Sequence, residues 1–170
     1  ADTAIGGIVS ATTIGSKKDG QTLLYNPKQT GNITVKHTGT DTSVHLNVGG
    51  LVGIFVQGEI TKNAAGTRGS VSGNFKIDSN NAAGPQWRCI GGVAGEARGN
   101  GKISDIDVLA SGDNSMTINL STMKGNVFLG GVVGYCPSAC EFSNITNSMP
   151  LNAKAETSTS GTIFAGGIAA

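Results

Sequence analysis

Charge is scarce in this 170-residue chain: Lys, Arg, Asp and Glu make up 14% of it, against roughly a quarter in an average soluble domain. The formal net charge of +1 supplies no electrostatic footprint for nucleic acid or for an anionic membrane surface. Histidine occurs only as His37 and His45, and cysteine only as Cys89, Cys136 and Cys140. "CPSAC" has a C-x3-C spacing without the second ligand pair of a structural zinc site, so we expect no metal and no cofactor. No apolar run approaches the 18 or so residues of a membrane-spanning helix; the longest is "VGGLVGIFV". The glycines of "GEARGNG", Gly95 to Gly101, lack the terminal Gly-Lys-Ser/Thr of a phosphate-binding loop.

In place of charge the chain carries 27 glycines, about twice the usual share, and fills its polar positions with Ser, Thr and Asn. All four are poor helix formers. Apolar residues nevertheless recur in short blocks, which argues against disorder. One phrase is written five times: "AIGGIVS" from Ala4, "VGGLVG" from Val48, "IGGVAG" from Ile90, "LGGVVG" from Leu129 and "AGGIAA" from Ala165. Its paired glycines are Gly6 and Gly7, Gly49 and Gly50, Gly91 and Gly92, Gly130 and Gly131, and Gly166 and Gly167. They recur at intervals of 43, 42, 39 and 36 residues, a period that belongs to solenoids, propellers and arrays.

The rest of the period repeats as well. A second block reads "GQTLLYN" from Gly20, "GEITKNA" from Gly58, "GKISDID" from Gly101 and "CEFSNIT" from Cys140. A third alternates with period two, in "NITVKH", "NFKID", "SMTINLS" and "MPLNAKA", as a half-buried strand does. We therefore expect an all-β fold with about three short strands per period. A parallel β-helix of about four coils fits, and so does a β-propeller. Columns of like residues favour the β-helix: Val48, Ile90, Leu129 and Ala165 align, as do Val52, Ala94 and Val133. The glycine pairs then leave room for a close approach between backbones, or relieve crowding at a corner. The chain reads as a single repeat domain over 1–170, with repeats at about 4–47, 48–89, 90–128 and 129–164 and a partial one at 165–170. It starts without Met and stops inside the phrase, which suggests a segment of a longer protein.

At these residues the sequence resembles the GLUG-motif repeats and related glycine-rich β-solenoid repeats of bacterial surface proteins. "GGLVG", "GGVAG" and "GGVVG", followed by segments such as "GEITKNA" and "CEFSNITNS", carry the resemblance across nearly the whole chain. "GGIVS" and "GGIAA" depart from it at the final glycine. The resemblance implies an extracellular, repetitive surface protein of the kind found in gut Bacteroidota, with adhesion the usual suggestion. It brings no catalytic residues.

Chemistry-bearing constellations are few. Polysaccharide cleavage on a β-helix needs clustered carboxylates, and the best set is Glu96, Asp105 and Asp107, joined by Asp113; a solvated loop face is the plainer reading. Trp87, Tyr25 and Tyr135 are among the rarest side chains. Trp87 on an exposed sheet would stack against a sugar, with Gln86 and Arg88 donating hydrogen bonds; otherwise it caps the core at a coil edge. Cys136 and Cys140 are placed to close a small disulfide across a turn or to remain thiols. Cys89 shares a column with Asn47, Phe128 and Phe164, the position of a packed residue rather than a nucleophile.

We accordingly expect a non-enzymatic extracellular protein, acting as a structural spacer or adhesive surface on a bacterial cell. A glycan-binding module is the alternative, and a polysaccharide-degrading β-helix enzyme a more distant one. Expected partners are extracellular glycans, surface proteins or other copies or segments of the same solenoid, without nucleic acid or direct membrane insertion.

Overall fold

A computed structural model describes residues 2–12, 22–38, 43–79 and 87–170. Among them there is no helix, and the paired strands run parallel throughout. The strands stack as a β-solenoid in four sheets, named A to D in the order in which the chain visits them. Sheet A holds Thr3–Gly6, His45–Gly49, Trp87–Gly91, Asn126–Gly130 and Ile163–Gly166. Sheet B holds Val9–Ala11, Val52–Phe55, Ala94–Ala97 and Val133–Tyr135. Sheet C holds Thr22–Tyr25 and Lys28–Gln29, Gly58–Thr61 and Gly69–Val71, then Lys102–Val108 and Glu141–Asn147. Sheet D holds Ile33–His37, Phe75–Ser79, Met116–Lys124 and Leu151–Ser160.

One circuit through A, B, C and D is one sequence period. Strands pair with their equivalents in the neighbouring periods, whereas a propeller blade would pair strands within one period. The columns read from sequence are the observed registers: Val48 faces Ile90, which faces Leu129, which faces Ala165, and Ala94 lies between Val52 and Val133. In sheet D, Val35, Ile77, Ile118 and Ala153 form another such ladder. These inward residues make one core in which Leu46, Val48, Phe55, Ile60, Phe75, Ile90, Ile103 and Ile118 are closed to solvent. Each such side chain contributes about 1.5–3 kcal/mol.

The structure differs from the sequence reading at two points. A period holds four sheet passes rather than three strands, because the glycine phrase is itself a corner: sheet A ends on its first glycine, and sheet B starts two residues beyond its second. The second block also shifts in the first coil, where Thr22 rather than Gly20 stands opposite Gly58. A two-residue shift keeps side chains on their own faces, and it sets Leu24 in the column of Ile60 and Ile103.

None of the ten paired glycines has a positive φ, so space rather than conformational freedom requires them. A Cβ on the first glycine of each pair would strike the carbonyl three residues onward, Val52 O in the case of Gly49. A Cβ on the second would strike the glycine carbonyl of the next coil: Gly50 O from Gly7, Gly92 O from Gly50, Gly131 O from Gly92 and Gly167 O from Gly131. The phrase's final glycine closes sheet B onto sheet A of the preceding coil; a Cβ at Gly95 would lie 2.5 Å from Val48 N. Ser10 holds that column in the first coil, is exposed, and has no sheet A strand of an earlier coil behind it among the described residues. Corner and close approach, the two roles weighed for the glycines, are therefore both filled.

Candidate functional site

Trp87 has one face of its ring covered. It is half-buried in a seam between sheets A and B, stacked on His45 of the coil below with ring centroids 4.6 Å apart and planes 15° from parallel. Phe128 and Tyr135 meet it edge-on at 5.4 and 4.9 Å, and Phe164 stacks on Phe128 at 5.0 Å. The structure thus joins Trp87 to Tyr135 as a packed pair.

Arg88 does not share that place. Successive residues of a strand face opposite sides, and Arg88 points into the solenoid interior, fully buried. Its Nε–H donates to Ser79 Oγ at 3.0 Å and Nη1–H to the Lys124 carbonyl at 2.7 Å, while Nη2 has no partner. Burial lowers its pKa from the ordinary value. His37 is held below its usual pKa by burial first and then by the Arg88 charge. Gln86 lies outside the described residues.

The four candidate carboxylates are not brought together. Glu96 sits in the seam beneath Tyr135, in a group that sequence reasoning did not assemble. Arg98 donates to both Glu96 oxygens at 2.7 Å and to Asp2 Oδ2 at 2.8 Å, and Asp2 Oδ1 accepts the His45 backbone N–H at 3.2 Å. Burial pushes the Asp2 carboxyl up, but the Arg98 and His45 hydrogen bonds outweigh it, and its pKa is lowered. Metal-ligand atoms of Asp2, His45 and Glu96 lie within 4.8 Å of one another. The Arg98 guanidinium already supplies the cation that the two carboxylates need, so the group is a clamp tying the first coil to the third. The one-period spacing of Asp2 and His45, 43 residues, is the only signal the sequence holds for it, since Arg98 lies 96 residues from Asp2, beyond two periods.

Asp105 and Asp107 lie in a strand on sheet C rather than in a loop. Arg68 grips Asp107 with Nε at 3.0 Å and Nη2 at 2.7 Å, and reaches the Asn144 carbonyl at 2.8 Å. Asp105 is within 3.5 Å of Lys62 Nζ and 3.7 Å of Arg68 Nη1, and it accepts a hydrogen bond from the Asn144 amide. The Asn144 bond first, then the cationic neighbours, hold the Asp105 carboxyl below its usual range; the Arg68 bond does the same for Asp107. Asp113 belongs to a separate shallow hollow beside Asn74 and Lys76.

Sheet C also carries a cleft of about 560 Å³ between Tyr25, Glu59, Thr61, Lys62, Asn63 and Ala64. Two other hollows, one beside Phe142 and Ile168 and one beside Asn74 and Asp113, measure about 180 and 150 Å³. Its cause is local. The third and fourth coils run straight through sheet C with one left-handed residue each, Asp105 and Asn144. The first coil breaks after Tyr25, at left-handed Asn26 and then Pro27. The second leaves the sheet from Lys62 to Arg68 in a turn closed by Asn63, which bonds Thr67 N–H through Oδ1 at 2.9 Å and Gly66 N–H through its carbonyl at 2.9 Å. The Arg68 grip on Asp107 returns the chain to the sheet.

Cys136 and Cys140 are free thiols at the B–C corner of the fourth coil, and Cys136 Sγ–H donates to Ser138 O at 3.0 Å. Burial, then the hydrogen bond with Cys136, push the Cys140 thiol up to about 12. Burial also raises Cys89, whose observed neighbours are the Asn47 and Phe128 of its column, so it is packed and unreactive. No family model, curated protein or solved structure matches this chain.

Proposed function

We propose that this chain is a non-enzymatic, extracellular repeat protein of the GLUG-motif kind, whose solenoid holds an adhesive face away from a bacterial cell. The observation that supports it best is the Tyr25 cleft. A hollow of ligand size interrupts the outer face of an otherwise regular stack, lined by an exposed aromatic ring and mixed polar groups. Glu59 is the single carboxylate among those lining residues, whereas glycoside hydrolysis needs two. The acids that do face one another across coils are already neutralised by Arg68, Lys62 and Arg98. Scarce charge and abundant Ser, Thr and Asn suit weak contacts multiplied along a repeat.

Beads coated with the 170-residue protein test this reading by their retention under shear on immobilised mucin, collagen and plant cell-wall polysaccharide. Retention on at least one surface, with no reducing ends or unsaturated products released from a soluble polysaccharide panel, is the expected result. Beads that wash off every surface refute adhesion, and released products refute the non-enzymatic assignment.

A further inference from the structure

We infer that the Tyr25 cleft is a carbohydrate site that takes a neutral hexopyranose, with the Tyr25 ring lying against the C–H face of the sugar. The inference rests on the adhesive reading above and names the ligand of that surface.

Tyr25 is the most exposed of the large hydrophobic side chains among the described residues, 57% open to solvent. The other rings described on sheets A and B pack on one another: Trp87 on His45, Phe128 and Tyr135, and Phe164 on Phe128. A tyrosine with an apolar face and a polar tip, left open beside a cleft, is the kind of group that binding surfaces present. The polar groups around it match a polyol. Glu59 is an acceptor-only carboxylate, suited to two adjacent hydroxyl donors. Asn63 spends its Oδ1 on Thr67 N–H, which leaves its amide N–H2 as the donor of that side chain. Lys62 stands 3.5 Å from Asp105, so its charge is already answered.

The sign of the ligand follows from the same inventory. Lys62 is answered by Asp105, Glu59 leaves a carboxylate in the cleft, and the chain as a whole carries a formal charge of only +1. A phosphate or a uronic acid would therefore meet no surplus cation. The Trp87 ring, by contrast, has one face covered by His45 and is met edge-on by Phe128 and Tyr135.

The test is isothermal titration of the 170-residue protein with cellohexaose, mannohexaose, chitohexaose and, as the anionic arm, hexagalacturonate. We expect saturable one-to-one binding of at least one neutral oligosaccharide, weakened roughly tenfold by Tyr25→Ala and retained by Tyr25→Phe. Glu59→Gln should weaken the same oligosaccharide while leaving the melting temperature unchanged, which separates ligand contact from folding. The inference is overturned if no neutral oligosaccharide binds, if hexagalacturonate alone binds, or if Tyr25→Ala leaves affinity intact. Retention of coated beads without any oligosaccharide binding would sink this inference and leave the adhesive reading standing; loss of both would sink both.

Discussion

Gly50→Ala should be among the most damaging single-methyl additions this fold can suffer. The new Cβ would land on the Gly92 carbonyl of the next coil and lie 2.8 Å from Val71 Cγ1 and 2.9 Å from Phe75 Cζ. Side chains can shift, but the carbonyl belongs to a corner held between coils by Gly50 N–H to Gly91 O at 3.2 Å and Leu51 N–H to Val93 O at 3.0 Å. Moving the coils apart weakens both bonds, each worth about 1 kcal/mol, on top of about 1–3 kcal/mol of overpacking. Alanine recovers only about 0.4–1 kcal/mol from the unfolded chain, because Gly50 has no positive φ to forbid it. The net loss is about 3 kcal/mol, or roughly 10 °C in melting temperature for a chain of this size. The control is Gly167→Ala at the same repeat position, where nothing lies within 4 Å of the added atom. Urea unfolding followed by Trp87 fluorescence compares them, and Gly167→Ala should stay within about 0.5 kcal/mol of the parent. Equal effects from the two substitutions would refute the close-approach account.

Four further outcomes follow from the same geometry. Gly131→Val should destabilise strongly in thermal melts, because its Cβ meets the Asn147 amide and the Gly167 carbonyl; a neutral melting temperature would contradict this. Arg88→Met should come within about 1 kcal/mol of the parent in urea, since it removes a buried cation whose Nη2 is unpartnered, and a loss above about 3 kcal/mol would show that the guanidinium is a net stabiliser. Arg68→Met should lower stability at pH 7 and much less at pH 2. The folded pKa values of Asp105 and Asp107 are depressed, so the stability they bring is full above about 4 and fades as pH falls through those lowered values; melting temperatures that differ as much at pH 2 as at pH 7 would contradict it. Maleimide at pH 8 should modify Cys136 before Cys140 and spare Cys89 until denaturant is added, as peptide mass mapping would show; early labelling of Cys89 would contradict its burial.

The stack was legible because a solenoid writes its register into its period. The columns through Val48, Ile90 and Leu129 and through Ile77 and Ile118 repeat at the spacing at which their strands pair. The corner inside the glycine phrase was not legible. "VGGLVG" is apolar on both parities, and the same letters describe one buried strand or two strands hinged at a glycine pair. What separates them is whether a Cβ has a carbonyl in its way, a contact between coils.

The candidate site was harder still, and for a physical reason. Composition marks Trp87, Tyr25 and Tyr135 as rare, but exposure is decided by the neighbouring coils. His45 arrives from one period earlier to cover Trp87, while the breaks at Asn26 and Lys62 leave Tyr25 open beside a cleft. Arg88 and Trp87 are adjacent in the chain and on opposite sides of the sheet. Asp2, His45, Glu96 and Arg98 meet only because three coils lie on top of one another. By itself, the sequence determined that the chain is a repeating all-β array with a glycine seam, and its columns favoured a parallel stack over a propeller, because apolar alternation and a near-constant period are local properties. Only the tertiary structure decided which aromatic ring meets solvent and which acids meet arginines, because those are contacts between residues about 40 or more positions apart, set by how each coil turns its corner.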